Sequence, residues 1–201
     1  MKFFIVGLHS SGKQEVVDYL NKFGVKCGKL FSNINEPSPH TYNSYNYELY
    51  SDKDIIDVFE NNAYLFMHEV NQTSINFDPQ KFYEGLSKYT FEQNDVFVLS
   101  PNHILELNPK SINDDICFVW LDNTLVNRSS RYKYEKRSYN FHEQDNYERR
   151  DIGSFVKTLY SMHNSKLLYF TNEEPNRIAT IIYTLIKHPD MIDVYVSNFN
   201  N

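Results

Sequence analysis

Lys2-Phe3-Phe4-Ile5-Val6-Gly7-Leu8-His9-Ser10-Ser11-Gly12-Lys13-Gln14 opens the chain and decides how the rest is read. The apolar run 3–6 has the length of a buried strand, and Val16, Val17 and Leu20 behind it recur at helical spacing. Gly7, Gly12 and Lys13 between them make G-x-x-x-x-G-K, in the strand–loop–helix context that a phosphate-binding loop requires. The chemistry accounts for the residue types. Glycine at both ends lets the backbone curl so that the N–H groups around His9, Ser10, Ser11 and Gly12 point at phosphate oxygens. The helix that follows adds its unpaired N–H groups and positive dipole end. Lys13 reaches the terminal phosphates as a mobile point charge. At average glycine usage and about 6% lysine, the pattern arises by chance roughly 0.06 times in a chain of this length. The plainer alternative is a tight strand-to-helix turn with an exposed lysine. The residue after the lysine is ordinarily a Ser or Thr whose hydroxyl binds magnesium, and here it is Gln14. The phosphate cradle is therefore better supported than the metal site.

At 201 residues the chain has room for one large domain with a real core and a small inserted lobe. An apolar fraction of 41%, with 16% aromatic, excludes a disordered protein. No apolar run approaches the roughly eighteen residues of a membrane helix, and Met1-Lys2 leads into a strand rather than a signal peptide. The expectation is a cytoplasmic protein with no membrane partner, monomeric or a homodimer. Cys27 and Cys117 are too few and too far apart for a disulfide framework or metal knuckle, and read as buried free thiols. A net charge of −6 argues against nucleic acid as a partner. Against that background Arg128, Arg131, Lys133, Lys136, Arg137, Arg149 and Arg150 concentrate positive charge. The richness in Asn, Tyr, Phe, Ile and Lys suits an AT-rich genome, such as a viral one.

Further along, 24–31 reads as a second strand, 32–44 as a loop rich in Asn, Ser and Pro, and 45–50 as an aromatic strand. Ser51 caps a helix carrying Ile55, Ile56, Val58 and Phe59, which Asn61-Asn62 ends, and 63–70 returns as a strand. This block interrupts a βα rhythm that then resumes. Helices are predicted at 79–89, 102–107, from Thr124 into the basic segment, at 152–162 and at 175–186. Strands are predicted at 95–99, 116–121 and 166–170. Short apolar strands alternating with helices imply an α/β fold with a central parallel sheet covered on both faces.

The stretch YELYSDKDIIDVFENNAYLFMHEV, residues 47–70, resembles the nucleotide-monophosphate lobe of guanylate kinases, through Tyr47, Ser51, Glu60, Asn61, Leu65, Glu69 and Val70. Tyr147-Glu148-Arg149-Arg150 resembles that family's Ile-Glu-Arg-Arg after the lid, and Thr171-Asn172 its segment against the ATP adenine. The resemblance implies a single P-loop domain with its core at 1–31 and 78–190, a monophosphate-binding lobe at 32–77 and a lid at about 128–150. It implies ATP and Mg²⁺ as cofactors and a nucleoside monophosphate as the partner substrate. Departures are informative. Two family arginines fall on about Asn35 and Ser38 around Pro37, the guanine-reading glutamate falls on Phe66, and the acid after the central strand falls near Ser100-Pro101. Phenylalanine cannot hydrogen-bond a guanine edge, which argues against guanine as the acceptor base. An aromatic there could stack on a different base.

The resulting expectation is a phosphoryl-transfer site. Lys13 with Arg128, Arg131, Arg137, Arg149 and Arg150 would neutralise transferring charge, although each arginine reads equally as part of a solvated helix face. Gly7, His9, Ser10, Ser11, Gly12, Gln14 and Asn172 would hold ATP. Ser32, Tyr47, Phe66 and Glu69 would meet the acceptor, Tyr47 being as readily a core residue. Gln14 and Asp122 would serve the metal, unless Asp122 is only a helix cap. His9 reads as filler rather than as a base. The competing class is a catalytically silent module of the same fold that binds a nucleotide or protein partner.

Overall fold

The computed structural model describes residues 1–33, 47–70, 82–107, 112, 115–134, 140–150, 152–161 and 165–199. Its centre is β1 (Lys2–Gly7), every residue of which is buried. Successive side chains of a strand face opposite ways. Phe3 and Ile5 thus enter one apolar cluster with α1 (Lys13–Lys22) and α8 (Pro175–Lys187), while Phe4 and Val6 enter another. Burial on both faces explains why β1 reads as a continuous apolar run.

Parallel strands flank β1 on both sides. β7 (Val96–Leu99) and β8 (Ile116–Asp122) hydrogen-bond to it directly. β2 (Cys27–Gly28) adds to β7, and β9 (Ser165–Thr171) adds to β8. The order is β2-β7-β1-β8-β9, a five-stranded parallel sheet. A second, mixed sheet has the order β4-β3-β6-β5, built from β3 (Leu30–Ser32), β4 (Tyr47–Leu49), β5 (Tyr64–Val70) and β6 (Phe82–Ser87). The strand predicted at 24–31 is thus divided at Lys29: Gly28 pairs with Phe97 in the parallel sheet, and Leu30 pairs with Tyr47 in the other.

The Ser51 cap holds as expected. Its hydroxyl accepts from the Asp54 N–H, the Asp54 carboxylate accepts from the Ser51 N–H, and α2 (Asp52–Glu60) ends at Asn61. The helix predicted over 79–89 is corrected. Residues 79–81 lie outside the described residues, 82–87 form β6, and α3 (Lys88–Gln93) begins only after Ser87 accepts from the Thr90 N–H. Tertiary pairing decides this segment. β6 lies between β3 and β5, and Gly85 lets both neighbours close in, since a Cβ there would meet the Phe66 carbonyl at 2.4 Å and the Phe31 ring at 2.5 Å.

After β7 comes α4 (Pro101–Glu106), and after β8 comes α5 (Leu125–Tyr134). A separate α6 (Phe141–Arg150), distinguished by no expectation above, precedes α7 (Ile152–Ser161). The chain closes with a 3₁₀ turn at Pro189–Met191 and α9 (Ile192–Phe199), whose Ile192 seals one apolar cluster. Among the described residues no helix is long and apolar enough to cross a membrane.

Candidate functional site

The loop between β1 and α1 leaves the carboxyl edge of the parallel sheet, where open α/β sheets place their ligands. Gly12 stands just before α1 at φ +93, a conformation glycine adopts freely, and Ser10 holds φ +53, which an L side chain seldom does. Gly7 must be glycine for a different reason. A Cβ there would meet the Ser11 hydroxyl at 2.6 Å and the Leu121 carbonyl at 2.8 Å. The Lys13 ammonium folds back onto the loop, donating to the carbonyls of Gly7 at 2.6 Å and Leu8 at 2.8 Å.

Residues of 123–134 and 140–150 grip this loop from outside. Arg128 is fully buried; its guanidinium donates to the Asn123 carbonyl (3.2 Å), the His9 carbonyl (3.4 Å) and the Asp145 carboxylate (2.6 Å). Asp145 also accepts from Arg149 at 2.9 Å. Burial alone would raise the Asp145 pKa, but the hydrogen bonds from Arg128 and Arg149 hold it below the usual range. The Glu148 carboxylate accepts from the His9 N–H at 2.7 Å and lies 3.2 Å from His9 Nδ1, while the Phe141 ring packs edge-on against the imidazole. Asn123 donates to the Ser11 carbonyl at 2.5 Å. His9 is therefore tied to Glu148 through both its backbone N–H and its ring.

Of the predicted arginines, Arg128 and Arg131 reach the loop. Arg131 pairs loosely with Glu15 (3.4 Å) and lies over Gly12. Arg149 is half exposed and bound to Asp145, and Arg150 lies over the Tyr147 ring at 5.9 Å. Arg137 lies outside the described residues. Gln14 turns its amide N–H to Asp18 at 2.9 Å. Asp122, at the end of β8 beside the loop, accepts from the Tyr169 hydroxyl; burial and then that carboxylate push the Tyr169 pKa up to about 12. Asn172, at φ +51, accepts from the Thr124 N–H and from Asn127, both at 3.0 Å, and donates its own N–H to the Asp122 carbonyl. It joins the end of β9 to the start of α5.

The second sheet gathers a different set. Ser32, Glu84 and His68 stand in one cross-strand row over β3, β6 and β5, so they share a face. Glu84 is buried and accepts from His103 of α4 at 2.8 Å and from His68 at 3.0 Å. Burial opposes its ionisation, but the hydrogen bonds it accepts from His103, then from His68, outweigh that and hold the carboxyl well below its usual range. Tyr47 faces the same carboxylate, and burial followed by Glu84 lifts its pKa well above the ordinary value. Phe66 is buried with its ring on His103, centroids 5.3 Å apart, so that ring is covered by protein rather than open to a base. Glu69 is exposed, on the opposite face of β5 from Phe66 and His68. The structure thus brings Ser32, Tyr47 and Phe66 together and leaves Glu69 apart.

His68, Glu84 and His103 present three ligand atoms within 4.8 Å of one another, a spacing a metal ion could use. The tautomer argues otherwise. The Ser100 N–H donates to His103 Nδ1 at 3.1 Å, so Nε2 carries the proton and donates to Glu84. A ring in that state has no Nε2 lone pair for a metal.

No protein-family profile matches the chain, and no curated protein matches it in sequence. Among solved structures, the guanylate kinase from Anaplasma phagocytophilum is similar over 95% of this chain and 86% of its own, with a TM-score of 0.51 and 9% identity. A sugar kinase from Janibacter sp. HTCC2649, solved unliganded, is similar over 92% of this chain and 94% of its own, with a TM-score of 0.42 and 13% identity. The parallel sheet with helices on both faces and the first likeness define a P-loop kinase-like α/β fold. At that identity the likeness shows the fold alone, and the second is too loose to add to it.

Asn123, Asp145, Glu84 and His103 were not among the residues singled out from sequence. No spacing in the chain joins residue 9 to 148 or 84 to 103, and only Glu148 carried a signal, as part of Glu148-Arg149-Arg150.

Proposed function

We propose that the chain is a nucleoside monophosphate kinase that transfers the γ-phosphoryl group of ATP to a (deoxy)nucleoside monophosphate not restricted to GMP. The observation that carries this reading is the meeting of Lys13, Arg131 and the left-handed Gly12 at the carboxyl edge of the parallel sheet. Phosphoryl transfer asks the protein for position and positive charge more than for covalent chemistry. Lys13 would exchange the Gly7 and Leu8 carbonyls for donor phosphate oxygens, and Arg131 would neutralise charge above the loop. Arg128 is spent on Asp145 and the backbone, so its part is to hold the loop. Arg149 and Arg150 carry exposed cations on α6. Mg²⁺, when bound, supplies further charge neutralisation. The oxygen donors suit it: the Asp122 carboxylate, and the Gln14 amide oxygen in place of a hydroxyl, with water and phosphate completing the shell. The acceptor would lie toward the second sheet, near Ser32 and Tyr47.

The second reading, a silent module that binds a nucleotide or a protein, is favoured by Gln14, whose amide is turned to Asp18. Magnesium separates the two: a kinase binds ATP more tightly with the metal, a silent module does not. The deciding experiment is ADP release from Mg-ATP against a panel of ribo- and deoxynucleoside monophosphates, with Lys13→Ala as control. Turnover with one acceptor, lost in the variant, establishes the kinase and its base. No turnover from folded protein with any acceptor establishes the module.

A further inference from the structure

In a trans peptide the C=O of one residue and the N–H of the next point in opposite directions. Whatever holds a carbonyl on one side of a loop therefore aims the following N–H to the other. Arg128 holds the His9 carbonyl, which turns the Ser10 N–H away from α5 and α6. Asn123 holds the Ser11 carbonyl, which turns the Gly12 N–H away in the same manner. Glu148 does the converse. By accepting the His9 N–H it turns the Leu8 carbonyl to the other side, and there that carbonyl receives the Lys13 ammonium. Ser10, at φ +53, lies between the two held residues, and such a backbone persists only where its surroundings impose it.

The geometry points to Asn123, Arg128 and Glu148 as positioning residues that preset the peptide planes of the phosphate loop: two to aim N–H groups at the anion, one to station the lysine. All three are buried and none is a surface cation waiting to swing in. Asn123, Arg128 and Glu148 are thus part of the phosphate site itself and not only a cover that closes over it. This inference rests on the reading of 7–13 as a phosphate site.

The test compares the wild type with Asn123→Ala, Glu148→Ala and Glu148→Gln, and with Leu185→Ala, a core change on α8, as a stability control. Two quantities are read: ATP and inorganic pyrophosphate affinity by calorimetry, and amide exchange of Ser10 and Gly12 in nucleotide-free protein by NMR. Asn123→Ala and Glu148→Ala should each weaken ATP binding about tenfold, the effect of losing one charge-assisted or buried hydrogen bond, and quicken exchange at both amides. Glu148→Gln should restore both, because its amide oxygen still accepts from the His9 N–H. Leu185→Ala should lower the melting temperature and change neither. Wild-type affinity and exchange in folded Glu148→Ala or Asn123→Ala would overturn the inference. So would a parallel loss in Leu185→Ala. If the wild type binds no ATP, the kinase reading falls while the amide exchange still decides this one. Should Asn123→Ala not fold, the Glu148 pair carries the test.

Discussion

The guanidinium of Arg131 closes over Gly12: its Cζ stands 3.4 Å, and its Nη1 3.5 Å, from the point a Cβ on Gly12 would occupy. A cation from α5 and the glycine that opens α1 are thus fitted to each other, 119 positions apart in the chain (131 − 12). Nη1 of Arg131 is buried without a hydrogen-bond partner among the described residues, which leaves a donor available at the mouth of the loop.

Gly12→Ala should therefore fail twice. The backbone at φ +93 strains any L side chain by about 1–2 kcal/mol, and the new methyl would press on Glu15 at 2.9 Å as well as on Arg131. Expected is a modest fall in melting temperature with complete loss of ATP binding, read by calorimetry. Unchanged binding would show that the loop does not receive phosphate in this form.

Arg128 and Arg149 share Asp145 but should respond very differently. Removing the fully buried Arg128 leaves Asp145 with Arg149 alone and takes the Arg128 donor from two carbonyls, a loss of about 3–5 kcal/mol. That corresponds to a melting temperature lower by roughly 6–20 °C in a domain of this size. Arg149 is half exposed, so Arg149→Ala should cost at most about 1 kcal/mol. Thermal melts of the two variants check the contrast.

Glu84 links stability to pH. Its folded pKa lies below the unfolded one, so the unfolded chain takes up a proton first as pH falls. The stability gained from ionised Glu84 is full above about pH 4.3, the ordinary glutamate value, and is lost as pH drops from there toward the folded value. Wild type should exceed Glu84→Gln by about 2 kcal/mol at neutral pH, and the gap should narrow on acidification below pH ~4. Urea unfolding of both proteins between pH 7 and 3 measures it. His68, His103 and Tyr47 are the titratable groups around this carboxylate.

Gly85→Ala should damage the second sheet and leave the loop at 7–13 intact. The added methyl would stand 2.4 Å from the Phe66 carbonyl and 2.5 Å from the Phe31 ring, too close for either neighbour to remain in place. About 1–3 kcal/mol of overpacking is expected. Faster amide exchange in β5 and β6, with ATP affinity retained, is the expected result.

Sequence by itself determined the elements whose cause is local. β1 was legible because a doubly buried strand must be apolar throughout, the turn at 7–13 because glycine spacing answers to backbone conformation, and α2 because Ser51 and Asp54 form a cap within four residues. Tertiary structure alone decided what depends on partners far along the chain. Residues 82–87 became a strand through pairing with β3 and β5, and Gly28 and Leu30 were sent to different sheets by their neighbours. Arg128 became a buried brace through Asp145 and the His9 carbonyl, and Phe66 was covered by His103. The physical reason is the same in each case. Backbone conformation and burial periodicity are written into adjacent residues, whereas the partner of a buried charge is chosen by the path of the whole chain.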